Sequence, residues 1–349
     1  MRTFINWGRG RERELKTLLP LMPKDIDTLY IPYLGCGDVL LSTDAKAYVA
    51  SDKCEELIEL WRFVAKPQPW LMDVIRDVVD LWDLLPGMIK DFQDRLYEVY
   101  DGYVTGSIMN YFSMVSAVGR IVRGFCVPVE KLQGLKGWDM DEFRMELRHQ
   151  WAVAIDLGKH LKMNNSDKFL KRITEAGLEA YFDYLVFLFN RPEAKGQTRA
   201  ATMLWTMCCA AGHLFYKDRW GQYEPDFDVE LADSLAFREQ MQLMGSKFFT
   251  ERMERTQLYK KDGVVMLSCE KPGKRDFIFA DPPCLIGKRK KKGRLFSKSA
   301  QQDLADFLLN KTGARWMVIL PKSDPIVETY MAQKLNSRLL CHEIVFWNY

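Results

Sequence analysis

The chain has 349 residues, 48% of them hydrophobic and 13% aromatic, with 22 glycines and 14 prolines. That is globular composition, with chain enough for one large domain or two modest ones. A formal net charge of +3 excludes a molecule that acts as a polycation throughout, so any basic surface has to be a local patch. The eight cysteines are scattered, with no CxxC pair and no His/Cys metal spacing, and read as reduced thiols of a cytosolic protein. The amino terminus, MRTFINWGRGRERELK, lacks an apolar signal core, and no apolar run approaches a membrane span.

In chain order, RERELKTLLPLM sets Leu15, Leu18 and Leu19 on one face and predicts a short amphipathic helix. TLYIPYLG predicts a buried strand that ends at glycine. AYVASD predicts a second strand ending on an acid, and KCEELIELWRFVA a helix with apolar positions 57, 58, 61 and 64. Strand, glycine turn, strand and helix in quick succession predict a doubly wound α/β sheet. From about residue 66 to 200 the periodicity turns helical and strand signals become sparse, so this stretch is expected to be an inserted helical module. Strands are expected to return at GVVMLSCE (263–270), DFIFAD (276–281) and ARWMVILP (314–321), with the helix SKSAQQDLADFLLNK between the last two. CHEIVFWNY is expected as a closing strand.

Two constellations carry chemistry. In YLGCGDVLL, a strand runs into G-x-G, where the absent Cβ atoms let a ligand approach the backbone. Asp52, at the tip of the next strand, is placed to accept hydrogen bonds from a ribose. The third glycine of the dinucleotide fingerprint is missing, which argues against a bound pyrophosphate. In DPPC (281–284), two prolines fix φ and remove both amide donors, leaving rigid carbonyls beside the Asp281 carboxylate. Such an acceptor array suits an amine with two hydrogens, as on a nucleobase. A proline-rich strand terminator would look the same in isolation.

Taken together, the G-x-G strand, the acidic strand, a long helical insert and a strand ending in D-P-P resemble the DNA adenine methylase family of S-adenosylmethionine-dependent methyltransferases. NWGRGRERELKTLLPLMP is similar to that family's K-W-A-G-G-K segment and its following helix and proline. YLGCGDVLLSTDAKAYVASDKCEELIELW is similar to its F-x-G-x-G-x-V-x-L-N-T-D block, and SCEKPGKRDFIFADPPC to its approach to D-P-P-Y. FSKSAQQDLADFLLNKTGARWMVILPKSDPIVETYM follows its helix, strand and S-N-x-D-T turn. HEIVFWNY is similar to its closing E-x-L-I-x-N-Y strand. The resemblance covers roughly 1–65 and 255–349 and is weak through the insert.

The resemblance implies a Rossmann-like methyltransferase fold with a mixed sheet of about seven strands. It implies a catalytic domain over 1–65 and 201–349, with a helical target-recognition insert over 66–200. It implies S-adenosylmethionine as cofactor, bound by Trp7, Gly8 and Arg11, where the family has lysine, and by Tyr33, Gly35, Gly37 and Asp52. Glu270, with Cys269 beside it, is expected after the third strand against the adenine ring. Asp281, Pro282, Pro283 and Cys284 match the catalytic tetrad, which grips the amine of an adenine flipped out of duplex DNA. The basic run Lys288, Arg289, Lys290, Lys291, Lys292 and Arg294 is expected to clamp DNA phosphates beside the pocket. No metal is implied.

Three departures stand out. Cys284 replaces an aromatic whose stacking on a base is worth about 1–3 kcal/mol, and Trp220, Tyr223 and Phe296 are candidates to replace it. AAGHLFYKDRWGQYEPDF echoes the family's recognition hairpin only around Gly221, an aromatic and Pro225. The basic hairpin before the last strand is missing. Two alternatives to adenine methylation in DNA therefore stay open: an amino-methyltransferase acting on cytosine or RNA, and a DNA-binding homologue with little or no turnover.

Overall fold

Short apolar runs buried on both faces belong in the middle of a parallel sheet, and the runs TLYIPYLG, AYVASD, DFIFAD and ARWMVILP supply its strands. The computed structural model describes residues 5–7, 10–66, 69–129, 140–163, 165–193, 196–211, 217–283 and 297–349. In chain order these form α1 (Glu12–Leu18), β1 (Thr28–Ile31), α2 (Asp38–Ser42), β2 (Ala47–Asp52) and α3 (Glu55–Ala65). Helices α4 (Pro69–Asp91), α5 (Gln93–Thr105), α6 (Tyr111–Val129), α7 (Met140–His160), α8 (Ser166–Asn190) and α9 (Gln197–Cys208) follow. After α10 (Ser234–Met241) and α11 (Lys247–Glu254) come β3 (Thr256–Lys260), α12 (Gly263–Glu270), β4 (Phe277–Ala280), α13 (Lys298–Asp306) and β5 (Arg315–Pro321). The chain closes with α14 (Val327–Met331), β6 (Asn336–Leu339) and β7 (Glu343–Trp347).

The seven strands make one sheet in the order β3-β2-β1-β4-β5-β7-β6. All neighbours are parallel except β7, which runs antiparallel to both β5 and β6. This is a mixed α/β sheet of the Rossmann-like methyltransferase fold. Each residue of β4, Phe-Ile-Phe-Ala, is buried. Tyr30, Ile278, Trp316, Val318 and Phe346 share one cluster with Leu304 and Leu308, which the helical turns before β5 contribute. The order reverses between β1 and β4, which makes the carboxyl edge of these two strands the switch point where open α/β sheets bind ligands.

The segment 263–270 is helix α12, not the expected strand. Asp262 caps it by accepting from the amides of Val264 and Val265 at 2.9 and 3.2 Å, which stabilises a helix start more than apolar run length favours a strand. Gly263 fits against β1's exit, where a Cβ would stand 2.6 Å from the Pro32 carbonyl oxygen. The third strand in sequence is instead Thr256–Lys260, paired in parallel with β2. β6 was not expected at all. All four of its positions are exposed, and its pairing with β7 makes it a strand.

By its own contacts the chain divides into two compact units, Met1–Pro67 with Tyr216–Gly221 and Arg238–Tyr349, and Gln68–Phe215 with Gln222–Phe237. The first unit holds the sheet. The second therefore runs beyond residue 200, where the sheet domain was expected to resume. Within the second unit, Trp82 meets Trp205 edge to face at 5.4 Å, and the Tyr181 hydroxyl donates to the Val78 carbonyl at 3.0 Å. Asn190 binds both the amide and the carbonyl of Tyr223 at 2.8 Å, which fixes the later segment to α8. Among the described residues no helix is long and apolar enough to cross a membrane.

The helical unit holds an acid well above its ordinary range. Burial, with Glu146 and then Glu179 nearby and the Gln150 amide opposing, pushes the Asp183 carboxyl from 3.8 up to about 7. The folded state therefore binds a proton there that the unfolded chain has lost, and stability falls as pH rises between those values. Asp183→Asn should raise the urea-unfolding free energy by about 1–2 kcal/mol at about pH 8 and change it little at about pH 4. A stability difference independent of pH would contradict the assignment.

Candidate active site

Parallel strands deliver their exits to one edge of a sheet, and here those of β1, β2 and β4 carry the expected residues. Beyond β1, Leu34 donates its amide to Ser51 of β2 at 2.9 Å, and Gly37 donates back to Leu34 at 3.0 Å. This tight turn needs left-handed backbone at Gly35 (φ +51°) and Gly37 (φ +75°). A Cβ on Gly37 would run into the six-membered ring of Trp61, whose indole N–H holds the Gly35 carbonyl at 3.1 Å. Trp7 lies over Gly35, 3.7 Å from where a Cβ would be.

Asp52 ends β2 beneath this turn. Its two oxygens accept from the amides of Gly35 at 3.4 Å and Cys54 at 2.9 Å. Burial pushes its carboxyl up, against the pull of those amides. Half-buried Tyr33 packs on the sheet core, and burial, with Asp262 beside it, pushes its hydroxyl up. Gly35, Gly37, Asp52, Tyr33 and Trp7 are thus gathered at one place.

The exit of β4 is tied to the amino-terminal segment by Arg11. Its Nε donates to Asp281 Oδ2 at 2.6 Å and its Nη2 to Asp281 Oδ1 at 2.5 Å, a two-point grip suited to the planar guanidinium. Nη1 donates to Glu343, and the Arg11 amide donates to Asp38 Oδ2 at 2.6 Å. Burial works against the charge on Arg11, but Asp281 and Glu343 outweigh it and push its pKa up. For Asp38, burial is the largest influence and pushes the carboxyl up. Pro282 is buried and Pro283 exposed. A carboxylate offers about four lone-pair sites and the guanidinium takes two, so Asp281 keeps acceptor capacity for an incoming amine.

Some expected residues lie elsewhere. Because 263–270 is a helix, Cys269 and Glu270 stand at its far end, roughly 9–11 Å along its axis from Gly263. Cys269 is exposed, and Glu270 lies near the Tyr259 hydroxyl, which donates to Gln257 Oε1 at 3.0 Å. Asp262 takes the place after β3 that Glu270 was expected to fill, paired with Lys53 at 2.7 Å. Tyr223 is 2% exposed inside the helical unit and has no face left for a base. Trp220 is 71% exposed, with the Arg219 guanidinium 3.9 Å from its ring. Gly8, Cys284, Phe296 and the basic residues Lys288, Arg289, Lys290, Lys291, Lys292 and Arg294 lie outside the described residues.

Four side chains of the site escaped the sequence reading. Asp38 carries no signal of its own, and Trp61 reads only as an apolar position of the helix after β2. Glu343 was part of a terminal strand with no assigned role, and only the antiparallel turn of β7 brings it to this edge. Asp262 had a readable signal, since Asp-Gly before an apolar run is a helix start. Among the described residues no group of three His, Cys, Asp or Glu side chains is arranged to hold a metal ion.

No protein-family model matches the chain. Over 81 residues it is 31% identical to the modification methylase StsI of Streptococcus sanguinis. That stretch is 23% of this chain and 12% of that protein, so the chain spans a small part of its relative's length.

The glycine turn yields a direct test. Gly37→Ala meets both a left-handed backbone and the Trp61 ring, and should cost about 2–4 kcal/mol in urea unfolding. Gly35→Ala meets only the backbone term, with Trp7 at ordinary contact distance, and should cost about 1 kcal/mol. Equal costs at the two positions would show that Trp61 does not pack on Gly37.

Proposed function

We propose that this chain transfers a methyl group from S-adenosylmethionine to the exocyclic amine of adenine in DNA. One observation carries the reading: the glycine turn with Asp52 and the Asp281-Pro282-Pro283 exit leave adjacent parallel strands at the point where the strand order reverses. A nucleoside-like donor and an amine acceptor bound at these two exits would be neighbours. The partial likeness to a modification methylase and the motif resemblance support the same reaction class.

The residues present fit the donor. At Gly35 a side chain would meet only Trp7, at 3.7 Å, so the turn leaves open space there, and Asp52 is a carboxylate suited to ribose hydroxyls. Bound there, S-adenosylmethionine supplies an electrophilic methyl group on a sulfonium. Trp7 and Tyr33 would wall the donor site. Asp281 accepts hydrogen bonds from the target amine, and the carbonyls fixed by Pro282 and Pro283 accept with it. That draws the nitrogen lone pair out of conjugation with the ring and aims it at the donor, so catalysis rests on position and electrostatics. Flipping the base brings the amine within reach. The basic run at 288–294 is proposed as a phosphate clamp, and the helical unit as the target-recognition domain. Both assignments rest on the sequence.

Cys284 favours one competing reading, a DNA-binding chain without turnover, because a thiol cannot stack on a flipped base as an aromatic does. A label-transfer assay with methyl-labelled donor and unmodified duplex DNA separates the two. The native chain should label DNA, and Asp281→Ala should lower labelling at least 100-fold, on the order of 3 kcal/mol of transition-state stabilisation, with DNA affinity nearly unchanged. Asp52→Ala should weaken donor binding in calorimetry about tenfold or more, some 1.4 kcal/mol. Native donor and DNA binding without label in the DNA would establish the silent binder. Unchanged donor affinity in Asp52→Ala would remove Asp52 from the site.

A further inference from the structure

Arg11 poses an electrostatic problem for the site that Glu343 resolves. A carboxylate held at two points by a guanidinium is close to neutral as seen by a third group, since the opposite charges lie 2.5–2.6 Å apart. An amine that takes up a methyl group needs the opposite. Its lone pair forms the new N–C bond, and the C–S bond breaks with its electron pair returning to sulfur. One positive charge passes from sulfur to nitrogen and then leaves with a nitrogen proton, taken up by water. A neutral Arg11–Asp281 pair would do little for that passing charge.

The structure places a second acid on the same guanidinium. Glu343 accepts from Nη1, the nitrogen that Asp281 leaves unused, and the three side chains form one unit with a net charge of −1. Arg11 and Glu343 are 11% and 10% exposed, whereas Asp281 is 23% exposed, so the unit opens outward at the member that would meet the amine. β7 is antiparallel, its first residue Glu343 lies opposite Pro321 at the end of β5, and β5 lies beside β4. The strand that enters the sheet in reverse therefore begins where the parallel strands finish. Asp38 binds the Arg11 amide rather than its guanidinium and stays outside the charge count.

We infer that Glu343 is a positioning residue that neutralises Arg11, so that Asp281 presents a net negative field to the charge developing on the amine. This rests on the reading of the site as a methyltransferase. Glu343→Gln is the informative substitution, because its amide oxygen can still accept from Arg11 while the charge is lost. We expect kcat for methyl transfer to fall at least tenfold, with KM for the donor and DNA affinity changed less than threefold. In an Arg11→Met background, where no positive charge is left to neutralise, adding Glu343→Gln should lower kcat less than twofold further.

A readout independent of activity accompanies it. In urea unfolding, Arg11→Met and Glu343→Gln should be non-additive, the double variant losing less stability than the two losses combined, because each single change leaves a buried charge short of its partner. A kcat within twofold of native in Glu343→Gln, or additive unfolding losses, would overturn the inference. If the native chain labels no DNA, the methyltransferase reading fails by itself. The ion triad is then judged on the unfolding cycle alone, where additivity refutes it and non-additivity retains it as a feature of the edge.

Discussion

A buried guanidinium must place its donors, and in this fold the need to do so at Arg11 ties four distant parts of the chain together. Its side chain takes Asp281 from the exit of β4 and Glu343 from the entry of β7, and its amide takes Asp38 from the turn after β1. Removing one member of such a set strands a charge away from water, at a cost of about 3–5 kcal/mol for a buried pair. The amino-terminal segment is thus held against the carboxyl edge of the sheet by ion pairs rather than by a strand. The same contacts fix the rotamer of the acid on which the proposed chemistry turns.

That arrangement is possible because the sheet is mixed. Were β7 parallel to β5, Glu343 would lie at the opposite edge and Arg11 would have one carboxylate to satisfy it. The glycine turn is subject to a comparable constraint. Trp61 fills the space where a side chain at Gly37 would lie and holds the Gly35 carbonyl, so the cradle is shaped from below by a helix that follows Asp52 directly. Both halves of the site are therefore held by side chains remote in sequence from the motifs they support.

Much of this was legible in the sequence where a local signal coincides with the tertiary one. The runs TLYI, AYVASD, FIFA and RWMVILP are apolar because central parallel strands are buried on both faces. Gly35, Gly37 and the Asp281 prolines announce turns through backbone chemistry alone. The reading failed where burial and local propensity part company. GVVMLSCE has the composition of a strand but is a helix, because Asp262 and Gly263 supply a cap and a close fit to Pro32. NSRL has no strand pattern and exists as β6 only through its pairing with β7. Glu343 could not be assigned because its place depends on the direction of its strand, which composition does not encode.

The two strand exits are proposed to form one site where an amine of DNA meets a methyl donor. The most direct measurement is mass spectrometry of nucleosides from unmethylated duplex DNA incubated with the native chain and deuteromethyl-labelled S-adenosylmethionine. The account predicts a labelled methyl group on the exocyclic nitrogen of deoxyadenosine. Label on deoxycytidine alone would contradict the choice of base. An absence of label in every nucleoside, from protein shown to bind both donor and DNA, would contradict the claim itself.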